Sequence, residues 1–198
     1  SLPISLRTNA LSRAGPPGKN TTMHNATGIL DQQARFEKCS PMVKRMAHHL
    51  AARLPATYAA VQAVLAEVKR LRPDFRPGTM VDAGAGPGTG SWAAASWWDS
   101  LSSFTLVDRD ARFLALAGKL LAGSDRQGLA AARLLSGDIA EIAVRGDLVI
   151  CAYALAEIPL ERVGIVAERL WQAANQMLVI VEPGTPAGFA RILDARRQ

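Results

Sequence analysis

Only two cysteines occur in the 198 residues, Cys39 and Cys151. Their spacing suits neither a zinc site nor a disulfide framework, so no metal is expected in this chain and a reducing compartment is. Cys39 reads as a helix-entry residue and Cys151 as a small apolar residue in a buried strand. Also missing is any apolar run near the ~20 residues that a membrane-crossing helix needs. The chain is therefore expected to be soluble, with no membrane partner. No apolar segment follows the first basic residues, as a secretory signal would require. Acids are absent before Asp31, while Arg7, Arg13 and Lys19 stand in that stretch. This loosely resembles a transit peptide, but "AGPPGKN" interrupts an amphipathic helix, and residues 1–30 read as a loosely ordered or clipped arm.

The charge that is present is unevenly spread. The net value is +6, but 12 Lys and Arg against 4 Asp and Glu fall at or before Gly78, and 11 against 13 fall after it. A basic surplus in one region either forms a solvated helical face or meets phosphates. Lys44, Arg45, Arg53, Lys69, Arg70 and Arg72 are the candidate RNA contacts there. Met42, Met46, Leu50 and Leu54 recur every fourth residue and predict one helix face. His48 and His49 adjoin each other and cannot both face one metal. A second helix follows, with Pro55 in its first turn and Pro73 beyond its end. Its predicted buried face is Tyr58, Val61, Leu65, Val68 and Leu71. Residues 31–78 thus read as a basic helical N-terminal region.

After Gly78 the texture changes to alternating strands and helices. "TMVDAG", "FTLVD", "AARLLSGD", "DLVICAYAL" and "QMLVIVEPG" are the candidate strands, with helical patterns between and after them. Trp92, Trp97 and Trp98 are expected against the sheet. Helices between apolar strands predict an α/β domain over 79–198, a mostly parallel sheet covered on both faces.

In such sheets the ligand lies beyond the carboxyl ends of the strands, so the loop "VDAGAGPGTG" after the first strand is the place for it. The dinucleotide pattern G-x-G-x-x-G fails here, because its third glycine would fall on Thr89 or Ser91. The P-loop pattern fails too, for want of a Lys-Ser/Thr pair. D-x-G-x-G-x-G fits instead, the loop of class I (Rossmann-like) S-adenosyl-L-methionine-dependent methyltransferases. That cofactor has no pyrophosphate to seat; it has an amino-acid end, a sulfonium and an adenosine. Glycines admit its close approach, and Asp82 can receive or indirectly order its ammonium group. Asp108, at the end of the second strand, is placed for the ribose hydroxyls. Asp138, after the third strand, is placed for the adenine amino group, with a helix cap as its alternative. Gly84, Ala85, Gly86, Gly88, Arg109, Ile139 and Tyr153 complete the candidate cofactor residues.

Catalytic residues are harder to name. The fourth strand ends "CAYALAEIP", without the Asn/Asp-Pro-Pro-aromatic clamp of base-amino methyltransferases. The fifth gives "VEPGTP", without the Pro-Cys nucleophile of pyrimidine carbon-5 enzymes. Tyr153, Glu157 and Glu182 are the polar groups left near the expected methyl position. Glu157 or Glu182 can serve as a base; capping, or pairing with an arginine, is the structural alternative for both.

"RLPATYAAV", "VDAGAGPGTGSWAA", "DLVICAYALAEIP" and "LVIVEPGTPAGF", in this order, resemble the methyltransferase-like small-ribosomal-subunit assembly family, over about Arg53 to Phe189. Its members include a mitochondrial ribosomal small-subunit protein and bacterial proteins labelled rRNA methylases. "EPGTPAGF" is the most specific part. The resemblance implies the class I fold, a link to ribosomal RNA or the small subunit, and either methylation or an assembly role without turnover. It maps Asp82, Gly84, Gly86 and Gly88 to the cofactor loop and Asp108 to the ribose acid. A small-molecule methyltransferase is the third alternative. Family members continue into final sheet strands and a cysteine cluster thought to hold iron–sulfur; this sequence reaches Gln198 before them. The last strands are therefore expected to be missing, and an iron–sulfur cluster to belong only to longer members. A monomer is expected, in the bacterial cytoplasm or, alternatively, the mitochondrial matrix.

Overall fold

The structure, a computed structural model, describes residues 53–197. The expectations for residues 1–30, for the Met42–Leu54 helix face, and for Cys39, Lys44, Arg45, His48 and His49 lie outside the described residues. Among the described residues, six helices and five strands follow in the order α1 (Leu54–Leu71), β1 (Thr79–Ala83), α2 (Thr89–Ala95), β2 (Ser103–Asp108), α3 (Ala111–Leu121), α4 (Gln127–Ala130), β3 (Arg133–Ser136), β4 (Gly146–Ala152), α5 (Val163–Ala173), β5 (Ala174–Val181) and α6 (Pro186–Ala195). Short 3-10 turns occupy Ile139–Glu141, Leu155–Glu157 and Leu160–Arg162. The sheet order is β3-β2-β1-β4-β5, and every described pairing is parallel.

Successive strand residues point to opposite faces, and the core divides accordingly. Met80, Phe104, Leu106, Leu148, Ile150, Val179 and Val181 face Val61 and Leu65 of α1, Ala93–Ala95 of α2, and Leu114, Ala117 and Leu121 of α3. Val81, Ala83, Val107, Val149 and Cys151 face Val163, Val166 and Leu170 of α5. Helices thus cover both faces, as a parallel sheet of apolar strands demands.

The helix ends follow local chemistry. α1 carries proline in its first turn, where the missing N–H costs nothing. Asp110 caps α3 by accepting from Arg112 N at 2.9 Å, and Thr185 caps α6 by accepting from Gly188 N at 3.1 Å. Asp147, at the start of β4, accepts from Gly78 N (2.9 Å) and Thr79 N (3.1 Å), locking β1 to β4.

Two expectations need adjusting. Leu71 was expected on the buried face of α1 but is 61% exposed, because it occupies the final position of the helix, beyond the reach of the sheet. The helical pattern between "TMVDAG" and "FTLVD" runs through the tryptophans, but α2 ends at Ala95, and Trp97 and Trp98 lie after it. Trp98 is buried and makes an edge-on contact with Phe75, ring centroids 5.4 Å apart. Trp92 and Trp97 are half-buried against the same core.

Candidate functional site at the carboxyl ends of the strands

The loop after β1 has an unusual backbone. Gly84, Gly86 and Gly88 have φ of +71°, +53° and +87°, values that residues with a Cβ rarely adopt. Alternate left-handed residues fold the chain tightly between β1 and α2. At Gly84 space is lacking as well: a Cβ there would lie 2.3 Å from the Ala154 Cβ. The amides of Gly84 and Ala85 both donate to the Val107 carbonyl, at 2.8 and 3.0 Å, and so fasten the loop to β2. A Cβ at Gly86 would meet no atom within 4 Å, so the loop borders open space at this point.

Two carboxylates shape the loop from opposite sides. Asp82 is 2% exposed, and its Oδ2 accepts from Ser91 N and Ser91 Oγ, both at 2.8 Å. It therefore organises the first turn of α2 from below. Desolvation pushes its carboxyl up to about 7, against the opposing pull of the Ser91 hydrogen bonds. Asp108 is half-buried at the end of β2. Its Oδ2 accepts from Gly86 N at 2.7 Å and its Oδ1 from Asp110 N at 2.8 Å.

The other sequence candidates fall into two groups. Asp108 bonds the glycine loop at Gly86, Tyr153 precedes the Ala154 that touches Gly84, and Arg109, next to Asp108, pairs with Glu157. Asp138 is exposed and accepts from Ala140 N at 2.9 Å, capping the turn that follows β3. Ile139 is buried in the α5-side core. Tyr153, directly after β4, has φ +61°, a strained value for an aromatic residue and of the kind that clusters at functional sites. Its N–H donates to the Val181 carbonyl at 2.7 Å, and its half-buried side chain packs on the α1-side core. Arg109 Nη2 donates to Glu157 Oε2 at 2.7 Å, both side chains being largely exposed.

Glu182, at the end of β5, accepts from Leu155 N through Oε1 at 3.0 Å. Its Oε2 is buried without a hydrogen-bond partner, and desolvation raises its carboxyl above the usual range. Arg191 of α6 holds the other end of the same turn. Its Nε donates to the Leu155 carbonyl at 2.9 Å, and its Nη2 to the carbonyls of Ile158 (3.3 Å) and Ala156 (3.4 Å). Gly188 makes this possible, since a Cβ there would strike the Pro183 carbonyl at 2.1 Å. "EPGTPAGF" thus builds a clamp on residues 155–158.

Sequence reasoning missed Ser91 and Arg191. Ser91 carries no pattern beyond its place in a helical turn, and Arg191 shows only as one cation in the partly apolar run "GFARIL". Burial raises the Cys151 thiol, followed by the charges of Glu182 and Asp82, which leaves it a poor nucleophile. Of the candidate RNA contacts, Arg53 is exposed, Arg70 pairs with Glu67, and Arg72 lies 3.7 Å from Asp74. Lys69 is half-buried. Among the described residues, no group of His, Cys, Asp or Glu could hold a metal ion, and no helix is long and apolar enough to cross a membrane.

The left-handed glycines, the open space beside Gly86 and the adjacent Asp108 carboxylate fit a nucleoside bearing an amino-acid tail. Comparison with solved structures finds the same fold. A S-adenosylmethionine-dependent methyltransferase from Clostridium acetobutylicum superposes with a TM-score of 0.54 at 16% identity, over 68% of this chain and 54% of that one. Magnesium protoporphyrin IX methyltransferase from Synechocystis, with S-adenosylmethionine bound, gives 0.50 at 16%, over 82% and 77%. In sequence, the human mitochondrial ribosome assembly protein METTL17 is 37% identical over 154 residues. That match covers 75% of this chain but 34% of the relative, so the chain spans about a third of that protein's length. The family described as mitochondrial small ribosomal subunit Rsm22 matches residues 44–198. With most of its length covered by that match, the chain belongs to the Rsm22 family of the mitochondrial small ribosomal subunit.

Proposed function

We propose that this chain binds S-adenosylmethionine in the glycine loop and acts as a methyltransferase on small-subunit ribosomal RNA or its assembly intermediates. The observation that carries the reading is the pairing of a left-handed Gly86, open to solvent space, with the Asp108 carboxylate on its amide. Asp108 has lone pairs to spare for ribose hydroxyls while holding the loop. Asp82 orders the turn beneath, and the positive φ at Gly84 and Gly88 turns the chain sharply from β1 into α2. When bound, the cofactor supplies an electrophilic methyl group on a sulfonium, so the protein's task is mainly alignment. Tyr153, fixed by Val181 and the core, forms the wall on the acceptor side.

The partner follows from kinship. The matched family is described by the small ribosomal subunit, and the human relative by ribosome assembly; both descriptions are mitochondrial, which favours that compartment over a bacterial cytoplasm. RNA contacts are assigned to the basic region before Gly78, where binding should fall steeply with salt.

One observation favours a second reading. Both candidate bases are already engaged, Glu157 by Arg109 and Glu182 by the Leu155 amide. An assembly factor that binds the cofactor without turnover would look the same. Calorimetry with S-adenosylmethionine, followed by transfer of a labelled methyl group to immature small subunits, separates the two. Binding and transfer that both vanish in Asp108→Ala support the methyltransferase. Binding without transfer to any RNA overturns it in favour of the assembly factor, and absence of binding overturns both.

A further inference from the structure

The ion pair between Arg109 and Glu157 links segments that leave strands not adjacent in the sheet. Arg109 follows the last residue of β2, and Glu157 lies in the turn after β4. In the order β2-β1-β4 these two ends flank β1 and its glycine loop. The ends of β2 and β4 lie two strand spacings apart, about 9.5 Å, with β1 between them, and the pair joins the segments that leave those ends. This is also where the strand order reverses, since β2 and β4 leave β1 in opposite directions, and ligands of open parallel sheets enter there.

Each end of the span is held differently. On the β2 side, Asp108 fixes the backbone through Gly86 N and Asp110 N. On the β4 side, Glu182 and Arg191 grip residues 155–158 from both ends. The backbones are clamped, while the two side chains that meet are 63% and 65% exposed. A fixed frame closed by a weak, solvated contact is a strap that opens without unfolding anything, since an exposed pair contributes no more than ~1 kcal/mol.

We infer that Arg109 and Glu157 form a gate across the glycine loop, which opens to admit and release the methyl donor, with Glu182 and Arg191 as its positioning residues. This rests on the methyl-donor reading above. A gate has a kinetic signature that a binding contact lacks. Closed in both the free and the loaded protein, it slows entry and exit alike and leaves affinity nearly unchanged. A side chain that merely touches the cofactor alters the exit rate, and affinity with it.

The test measures association and dissociation rates of tritiated S-adenosylmethionine by rapid filtration. It compares the full chain with Arg109→Gln, Glu157→Gln and the reversed pair Arg109→Glu with Glu157→Arg, each checked for folding by circular dichroism. Both single variants should raise both rates together, by up to about fivefold, with affinity held, and the reversed pair should return the rates towards those of the parent. Unchanged rates in the single variants overturn the gate. So does a change confined to dissociation, or one that the reversed pair fails to restore, either of which assigns the side chains separate contacts. Absence of binding in all four proteins overturns the methyl-donor reading, and the gate with it.

Discussion

Gly84 and Ala154 touch so closely that no side chain fits between them: a Cβ on the glycine would lie 2.3 Å from the alanine methyl. The first glycine of the loop is thereby packed against the turn that leaves β4. Loop and turn form one unit, and displacing either displaces both.

Gly84→Ala should therefore act twice, by clash and by forcing a Cβ into φ +71°. Strain and overpacking of this kind cost about 1–3 kcal/mol each. Thermal or urea unfolding should show a loss of that order, together with weaker cofactor binding. An Ala variant with the parent's stability would mean that the two segments part easily.

Asp108→Asn should weaken the loop less than Asp108→Ala. The amide oxygen can still accept from one backbone N–H, but the charge that strengthens both hydrogen bonds is gone. Hydrogen bonds to charged groups are worth about 1.5–3 kcal/mol. The expected order of cofactor affinity by calorimetry is parent, Asn, Ala, with roughly a tenfold or greater total loss.

The buried Asp82 should make stability depend on pH. Desolvation raises its folded value to about 7 from an ordinary 3.8, so between these limits the folded state binds more protons than the unfolded state. Stability contributed by this group is present below pH ~4, falls as pH rises through about 7, and is lost above it. The full swing is at most ~4 kcal/mol. Urea midpoints taken from pH 5 to 8 should decline for the parent, and the decline should flatten in Asp82→Asn. The same slope in both proteins would remove Asp82 from the account.

Arg191→Leu should loosen the clamp on residues 155–158. The carbonyls of Leu155, Ala156 and Ile158 lose a charged donor, which costs about 1–3 kcal/mol. Hydrogen exchange should quicken locally at residues 153–158. Arg191→Lys should recover part of the stability only, because one ammonium cannot reproduce the guanidinium fork.

Much of this was legible in the sequence because it is local. Strands and helices declare themselves through side-chain periodicity, which depends on neighbours two to four residues away. The glycine spacing excluded pyrophosphate loops by itself, for the third glycine of the dinucleotide pattern is occupied by Thr89 or Ser91. Asp82 and Asp108 stood in the last residues of β1 and β2, in a known register. Leu71 was misplaced because periodicity carries no information about where the neighbouring surface ends.

What the sequence alone determined is therefore the α/β alternation, the glycine-rich loop and the order of the acids around it, all fixed by backbone chemistry within a few residues. The tertiary structure decided what each acid does. Asp82 turned down towards Ser91, Asp108 reached back to Gly86 and Asp138 capped its own turn. Glu157 crossed to Arg109, and Glu182 joined Arg191 on residues 155–158. These pairings link residues up to 48 positions apart, and a carboxylate's partner depends on which strands lie side by side. Strand order is a property of the packed sheet, set by which faces bury together, and no single segment carries it.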